Sequence, residues 1–77
     1  MIEVDIKGLR TSKDLKQEDI AKKLRINRMT FSKKERGITA FNAKEYLIMQ
    51  DIFNLKPEEL ITIIKIQYLK EIKHSRS

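Results

Sequence analysis

Not one of the 77 residues is cysteine, and for a chain this short that removes most of the usual means of staying folded. Below about 80 residues a single core leaves little stability margin, and small natural domains add disulfides, a metal, close helix packing or a partner subunit. Without thiols there is no disulfide, no thiolate zinc site and no reactive sulfur nucleophile. Helix packing and association remain. The length allows one core and hence one domain, residues 1–77. Two glycines and one proline, amid abundant Lys, Glu, Leu and Ile, favour helices joined by short turns over a sheet with many reversals. The start, Met1-Ile2-Glu3-Val4-Asp5, lacks the basic and apolar runs of a secretory signal, and no stretch approaches the roughly 20 apolar residues of a membrane span. A cytoplasmic location with no membrane partner is therefore expected.

The net charge of +6 is concentrated. Ten bases lie between Arg10 and Arg36 against Asp14, Glu18, Asp19 and Glu35, which accounts for the whole excess, while the remainder of the chain balances seven bases with seven acids. Such a block suits an anionic polymer. From charge alone, a solvated helical surface fits equally well.

Apolar spacing divides the chain into five helices. Ile2, Ile6 and Leu9 recur at helical intervals up to Thr11-Ser12, with a weak point at Gly8. From Gln17 to Leu24 the stripe is Ile20, Ala21 and Leu24, with Glu18 and Asp19 beside the positive helix end. Asn27 offers an N-cap to a helix from Arg28 to Arg36 whose large inward residue is Phe31, and Gly37 stops it. Asn42 and Glu45 form a capping box for a fourth helix, with Ala43, Tyr46, Leu47, Met49, Ile52 and Phe53 as candidate core and an end near Asn54. Pro57-Glu58-Glu59 opens a fifth, with Leu60, Ile61, Ile64 and Tyr68 assigned to the inner side. Ile63, Ile66 and Leu69 then form a second apolar row, more than one core-facing stripe buries. Ile64 to Tyr68 also alternates like a strand; the reading favoured is a helix to about Ile72, with residues 74–77 frayed.

Catalysis finds little footing. His74, in the expected tail, is the only histidine, and there is no glycine-rich phosphate loop and no cluster of metal ligands. The adjacent acids Glu18-Asp19 and Glu58-Glu59 are explained by helix first turns. No catalytic residue, metal, cofactor or small-molecule substrate is expected.

Two short basic helices joined by a tight turn, between residues 17 and about 36, set one helix into a major groove while the other braces it. With Phe31 inward, the 3.6-residue period turns Arg28, Met29, Ser32, Lys33 and Arg36 outward. In detail, Gln17 at the start of the second helix, the pair Ala21 and Leu24, and Glu35-Arg36-Gly37 closing the third resemble the helix-turn-helix family of phage Cro proteins and repressors and the related bacterial XRE-type regulators. The resemblance runs from about Ile6 to Ile61.

That resemblance implies an all-α, compact five-helix bundle of the lambda-repressor-like DNA-binding type, its last helix extended for dimerisation. It also implies a regulator of transcription, a repressor of phage or prophage type, binding a palindromic operator on double-stranded DNA as a homodimer. By the family pattern Asn27, Arg28, Met29, Ser32 and Lys33 read base edges, Arg28 pairing with guanine and Met29 packing on a thymine methyl. Gln17, Thr39, Asn42 and Lys44 are expected at phosphates, with Arg10, Arg25 and Arg36 completing the set. Capping alone also explains Asn42, and helix initiation alone Gln17. Arg10 and Glu35 occupy the places of an internal ionic brace. Leu55, Pro57, Ile63, Ile66 and Leu69 are the expected dimer interface. Two positions depart from the family: Arg25 stands where glycine is usual in the turn, and Lys34 where an apolar residue is common. A left-handed Arg25 costs about 1–2 kcal/mol, and the site of Lys34 must be shallow or covered by the lysine stem. The rival reading is a protein-interaction module, such as an antitoxin, whose surplus apolar row holds a different chain.

Overall fold

The computed structural model describes residues 4–75, and among them the chain is all-helical: α1 Ile6–Ser12, α2 Gln17–Leu24, α3 Arg28–Glu35, α4 Ala43–Ile52 and α5 Pro57–Ser75. Ile2, expected in the first helix, lies outside the described residues. Polar side chains fix each start. Asp5 Oδ1 accepts the Gly8 N–H at 2.9 Å, Asp19 Oδ2 accepts the Lys16 N–H at 2.8 Å, and Asn27 Oδ1 accepts the Thr30 N–H at 2.7 Å. At α4 the capping box is complete: Asn42 Oδ1 accepts from Glu45 N at 2.8 Å and Asn42 N donates to Glu45 Oε1 at 2.9 Å.

The ends of α1 to α4 share one device. Asp14, Arg25, Gly37 and Asn54 all take positive φ. In each case the next residue's N–H reaches back five residues, as from Ile26 to Ala21 O at 3.0 Å and from Ile38 to Lys33 O at 2.9 Å. This Schellman closure satisfies the last carbonyls of a helix and turns the chain sharply. Glycine supplies the left-handed residue only at Gly37, where a Cβ would come within 2.6 Å of Lys70 Cβ. At Arg25, with φ 61 and ψ 40, a side chain bears the steric cost.

The core gathers Ile6, Leu9, Ile20, Ala21, Leu24, Phe31, Phe41, Tyr46, Met49, Phe53, Leu60 and Ile63. Phe41 joins two of its other rings, its centroid 5.8 Å from that of Phe31 and 5.5 Å from that of Tyr46, both tilted by 58°. Helix α2 packs on both α3 and α4, and α4 on α5. No helix among the described residues is long and apolar enough to cross a membrane.

Several sequence expectations are corrected. Ala43 and Leu47 are exposed, because α4 turns Glu45, Tyr46 and Met49 inward. Along α5 the expected rows are partly exchanged: Leu60 is buried and Leu69 exposed as expected, but Ile63 is buried at 2 % exposure, while Ile61, Ile64 and Tyr68, assigned to the inner side, are exposed. Gln67 explains the exchange. It is fully buried, and its Nε2 donates to Lys34 O at 3.1 Å, so the face bearing Leu60, Ile63 and Gln67 turns toward the end of α3. The strand alternative for residues 64–68 does not occur, and helix α5 runs on through His74 and Ser75 instead of fraying from residue 74; Arg76 and Ser77 lie outside the described residues.

Candidate nucleic-acid interface

The inner side of α3 is anchored at three levels. Phe31 is completely buried. One turn later, Glu35, 3 % exposed, receives Arg10 Nε at 2.8 Å and Arg10 Nη2 at 3.4 Å, and its Oε1 also accepts Gln17 Nε2 at 2.9 Å. At the C-terminal end, α5 caps the last carbonyls, with Gln67 on Lys34 O and Lys70 Nζ on Glu35 O at 3.3 Å. Lys70 also reaches Asp5 Oδ2 at 2.6 Å, tying the start of α1 to the same corner. Partial burial pushes the Asp5 carboxyl up, but the Lys70 ammonium and the Gly8 N–H outweigh it and leave the group below its ordinary value.

The opposite side of α3 faces solvent. Arg28, Met29, Lys33 and Arg36 are exposed and Ser32 is half-buried. Asn27 is exposed too, but its side-chain oxygen is engaged with Thr30 N. Arg28 Nη1 lies 3.4 Å from Gln17 Oε1, so one glutamine bridges the surface arginine and the buried Glu35. Arg36 folds back on Ser32 O at 3.3 Å.

Of the residues expected at phosphates, Arg25, Asn42 and Lys44 line one open hollow together with Lys23 and Ile26. Gln17 and Arg28 line another beside Lys16 and Thr11. Thr39 and Arg36 are exposed and lie in neither of these hollows. Arg10 also borders that second hollow, but its guanidinium is engaged by Glu35 and by Leu15 O at 3.0 Å. The expected dimer residues are not one surface either. Ile63 belongs to the core, Leu55 and Ile66 are half-buried, and only Pro57 and Leu69 are exposed.

Lys34 reaches inward, where Nζ meets Glu45 Oε1 and Oε2 at 2.7 and 2.8 Å and stands 6.0 Å from the centroid of Phe41. Glu45 thereby serves the α4 cap and the end of α3 at once. Burial, with the charges of Glu71 and Glu45, pushes the nearby Tyr46 hydroxyl up to about 12. Sequence reasoning missed Gln67 and Lys70. Their only signal was one polar residue in each turn of an otherwise apolar row.

No group of three or more His, Asp or Glu side chains able to hold a metal ion occurs among the described residues. In comparisons with known proteins the chain matches no family model, no curated protein and no solved structure.

Proposed function

We propose that this chain is a sequence-specific double-stranded DNA-binding regulator of the Cro and repressor kind, not an enzyme, and that it acts as a pair of copies on a palindromic site. One observation carries the reading: α3 is fixed from behind by Phe31 and Glu35 while Arg28, Met29, Lys33 and Arg36 point to solvent. A short helix with a rigid anchor and a cationic outer side is what a major groove accepts. Phosphates on either flank would meet Arg25, Asn42 and Lys44 on one side and Gln17 with Lys16 on the other, where helix starts add favourable dipoles. Two such helices about 34–36 Å apart read half-sites one turn apart.

Selection of bound fragments from random duplex DNA at two salt concentrations tests this directly. The expected result is an enriched motif with two-fold symmetry and binding that weakens steeply with salt, since each phosphate contact releases counterions. Failure of every duplex to bind in dilute buffer would end the proposal.

A further inference from the structure

The hollow between the α2–α3 turn and the start of α4 has a volume of about 540 Å³, within the roughly 300–1,000 Å³ of small-molecule sites. Its floor is apolar, with Leu24 buried and Ile26 and Ile48 half-buried. Its rim is cationic, with Lys23, Arg25 and Lys44 all exposed. Among the described residues none of these three side chains has a hydrogen-bond or ion-pair partner. The carboxylate in the lining is already spent: Glu45 receives Lys34 Nζ at 2.7 and 2.8 Å and Asn42 N at 2.9 Å. Three positive charges therefore stand over a hydrocarbon base with no anion of the chain to balance them.

Arg25 is the most telling of the three. Its backbone is left-handed, with φ of 61 and ψ of 40, a conformation that glycine adopts without steric cost. No hydrogen bond from its guanidinium offsets that cost within the chain. Residues held in such sparsely populated regions gather at ligand clamps and active sites. The hollow beside Gln17 has a different character, because Asp14 and Glu18 line it together with Lys16 and Arg28.

A phosphodiester of a DNA backbone brings one charge to the rim and leaves the isoleucines of the floor wet. A phosphate monoester on a short alkyl or aryl body brings nearly two charges at neutral pH, accepts paired hydrogen bonds from a guanidinium, and covers Ile26 and Ile48 as well. We infer that the hollow is a site for a small amphipathic anion of this kind, its phosphate held by Lys23, Arg25 and Lys44 and its apolar body laid on Leu24, Ile26 and Ile48. Arg25 and Lys44 are also the cations assigned to the DNA backbone, so a filled hollow and a bound duplex exclude each other. That consequence rests on the proposed DNA binding; the site itself does not.

Nuclear magnetic resonance titration of the isotope-labelled full chain, without DNA and at constant ionic strength, is the test, with hexyl phosphate, inorganic phosphate, hexanoate and hexanol as probes. Hexyl phosphate is expected to saturate, to shift the amide signals of Arg25, Ile26, Lys44 and Ile48, and to bind about tenfold or more tighter than inorganic phosphate, the gain from burying a few methylenes. Hexanoate binds several-fold more weakly than hexyl phosphate, and hexanol does not saturate. Arg25→Gly, which relieves the backbone and keeps the parent circular dichroism, lowers the affinity for both phosphates by about tenfold. Ile48→Ala brings hexyl phosphate toward the affinity of inorganic phosphate. Equal affinities for hexyl and inorganic phosphate in the parent, shifts centred away from the hollow, or an Arg25→Gly variant that binds as the parent does overturn the site. Hexanoate binding as tightly as hexyl phosphate overturns the choice of phosphate as the head group. In a second arm, hexyl phosphate displaces a selected duplex while inorganic phosphate at the same concentration and ionic strength does not. A duplex that stays bound overturns the exclusion and leaves the site standing, whereas a chain that binds no duplex ends the DNA reading while the titration still decides the site.

Discussion

Arg10 closes on Glu35 with 2.8 Å between Nε and Oε2, joining the first helix to the last residue of α3 from inside the molecule. Both side chains are almost wholly withdrawn from solvent, and a buried ion pair is costly to break from one side because the remaining charge stays unpaired. Glu35→Gln is expected to lower unfolding stability by about 3 kcal/mol, within the 3–5 kcal/mol range for such losses. Replacing both partners with apolar residues, as in Arg10→Met with Glu35→Leu, recovers most of that loss. Urea unfolding checks this, and equal midpoints for Glu35→Gln and the parent would contradict it.

Arg25 is strained. Its φ of 61 and ψ of 40 place a residue with Cβ in the left-handed region, where only glycine is free of steric cost. Arg25→Gly keeps the backbone bonds of the turn, Ile26 N to Ala21 O and Arg25 N to Lys22 O. Stability should rise by about 1 kcal/mol, less than the full steric relief because glycine also loosens the unfolded chain. The melting temperature would rise by about 4–8 °C for a domain of this size. An unchanged or lower melting temperature would mean that the arginine side chain supplies contacts equal to the strain.

Much of this architecture was written locally. Asn27 and Asn42 with Glu45 announce two helix starts by capping chemistry, and Phe31, the one aromatic residue of α3, names its inner side. The orientation of α5 was not legible. Both of its apolar rows satisfy a 3.6-residue period, and what decides between them is Gln67, a polar side chain whose partner, Lys34 O, is 33 residues away. For Arg10 the sequence allows both a brace and a phosphate contact; only tertiary structure shows its guanidinium on Glu35 and Leu15 O. Lys34 was unreadable for the same reason, since its anion, Glu45, looked already occupied as a capping residue.

Tyr46 should titrate late. Its hydroxyl is raised from 10.0 to about 12 by burial and by Glu71 and Glu45, so the folded state disfavours tyrosinate relative to the unfolded chain. Stability from this group is complete below pH 10, the unfolded value, and is lost as pH climbs toward about 12. The useful measurement is the difference between the parent and Tyr46→Phe. Ultraviolet tyrosinate absorbance should lose a component near pH 12 in the variant, and the fall in stability across that window should be shallower. A component lost near pH 10 instead, with no change in the alkaline fall of stability, would show that Tyr46 is open to solvent.

If the proposed DNA binding holds, Arg28 and Lys44 separate its two tasks. Arg28 lies on the outward face of α3, its Nη1 3.4 Å from Gln17 Oε1, where a base edge would meet it. Arg28→Ala should therefore cost about 1–3 kcal/mol of discrimination at one base pair in each half-site. Lys44 stands in the hollow beside Asn42 and Arg25, where a phosphate and not a base edge is the fitting ligand. Lys44→Ala should weaken all duplexes alike and reduce the salt dependence by about one counterion per copy. Fluorescence anisotropy on the selected site and its single-base variants distinguishes the two effects. A uniform loss from Arg28→Ala would move that residue from reading to anchoring, and a sequence-dependent loss from Lys44→Ala would do the reverse.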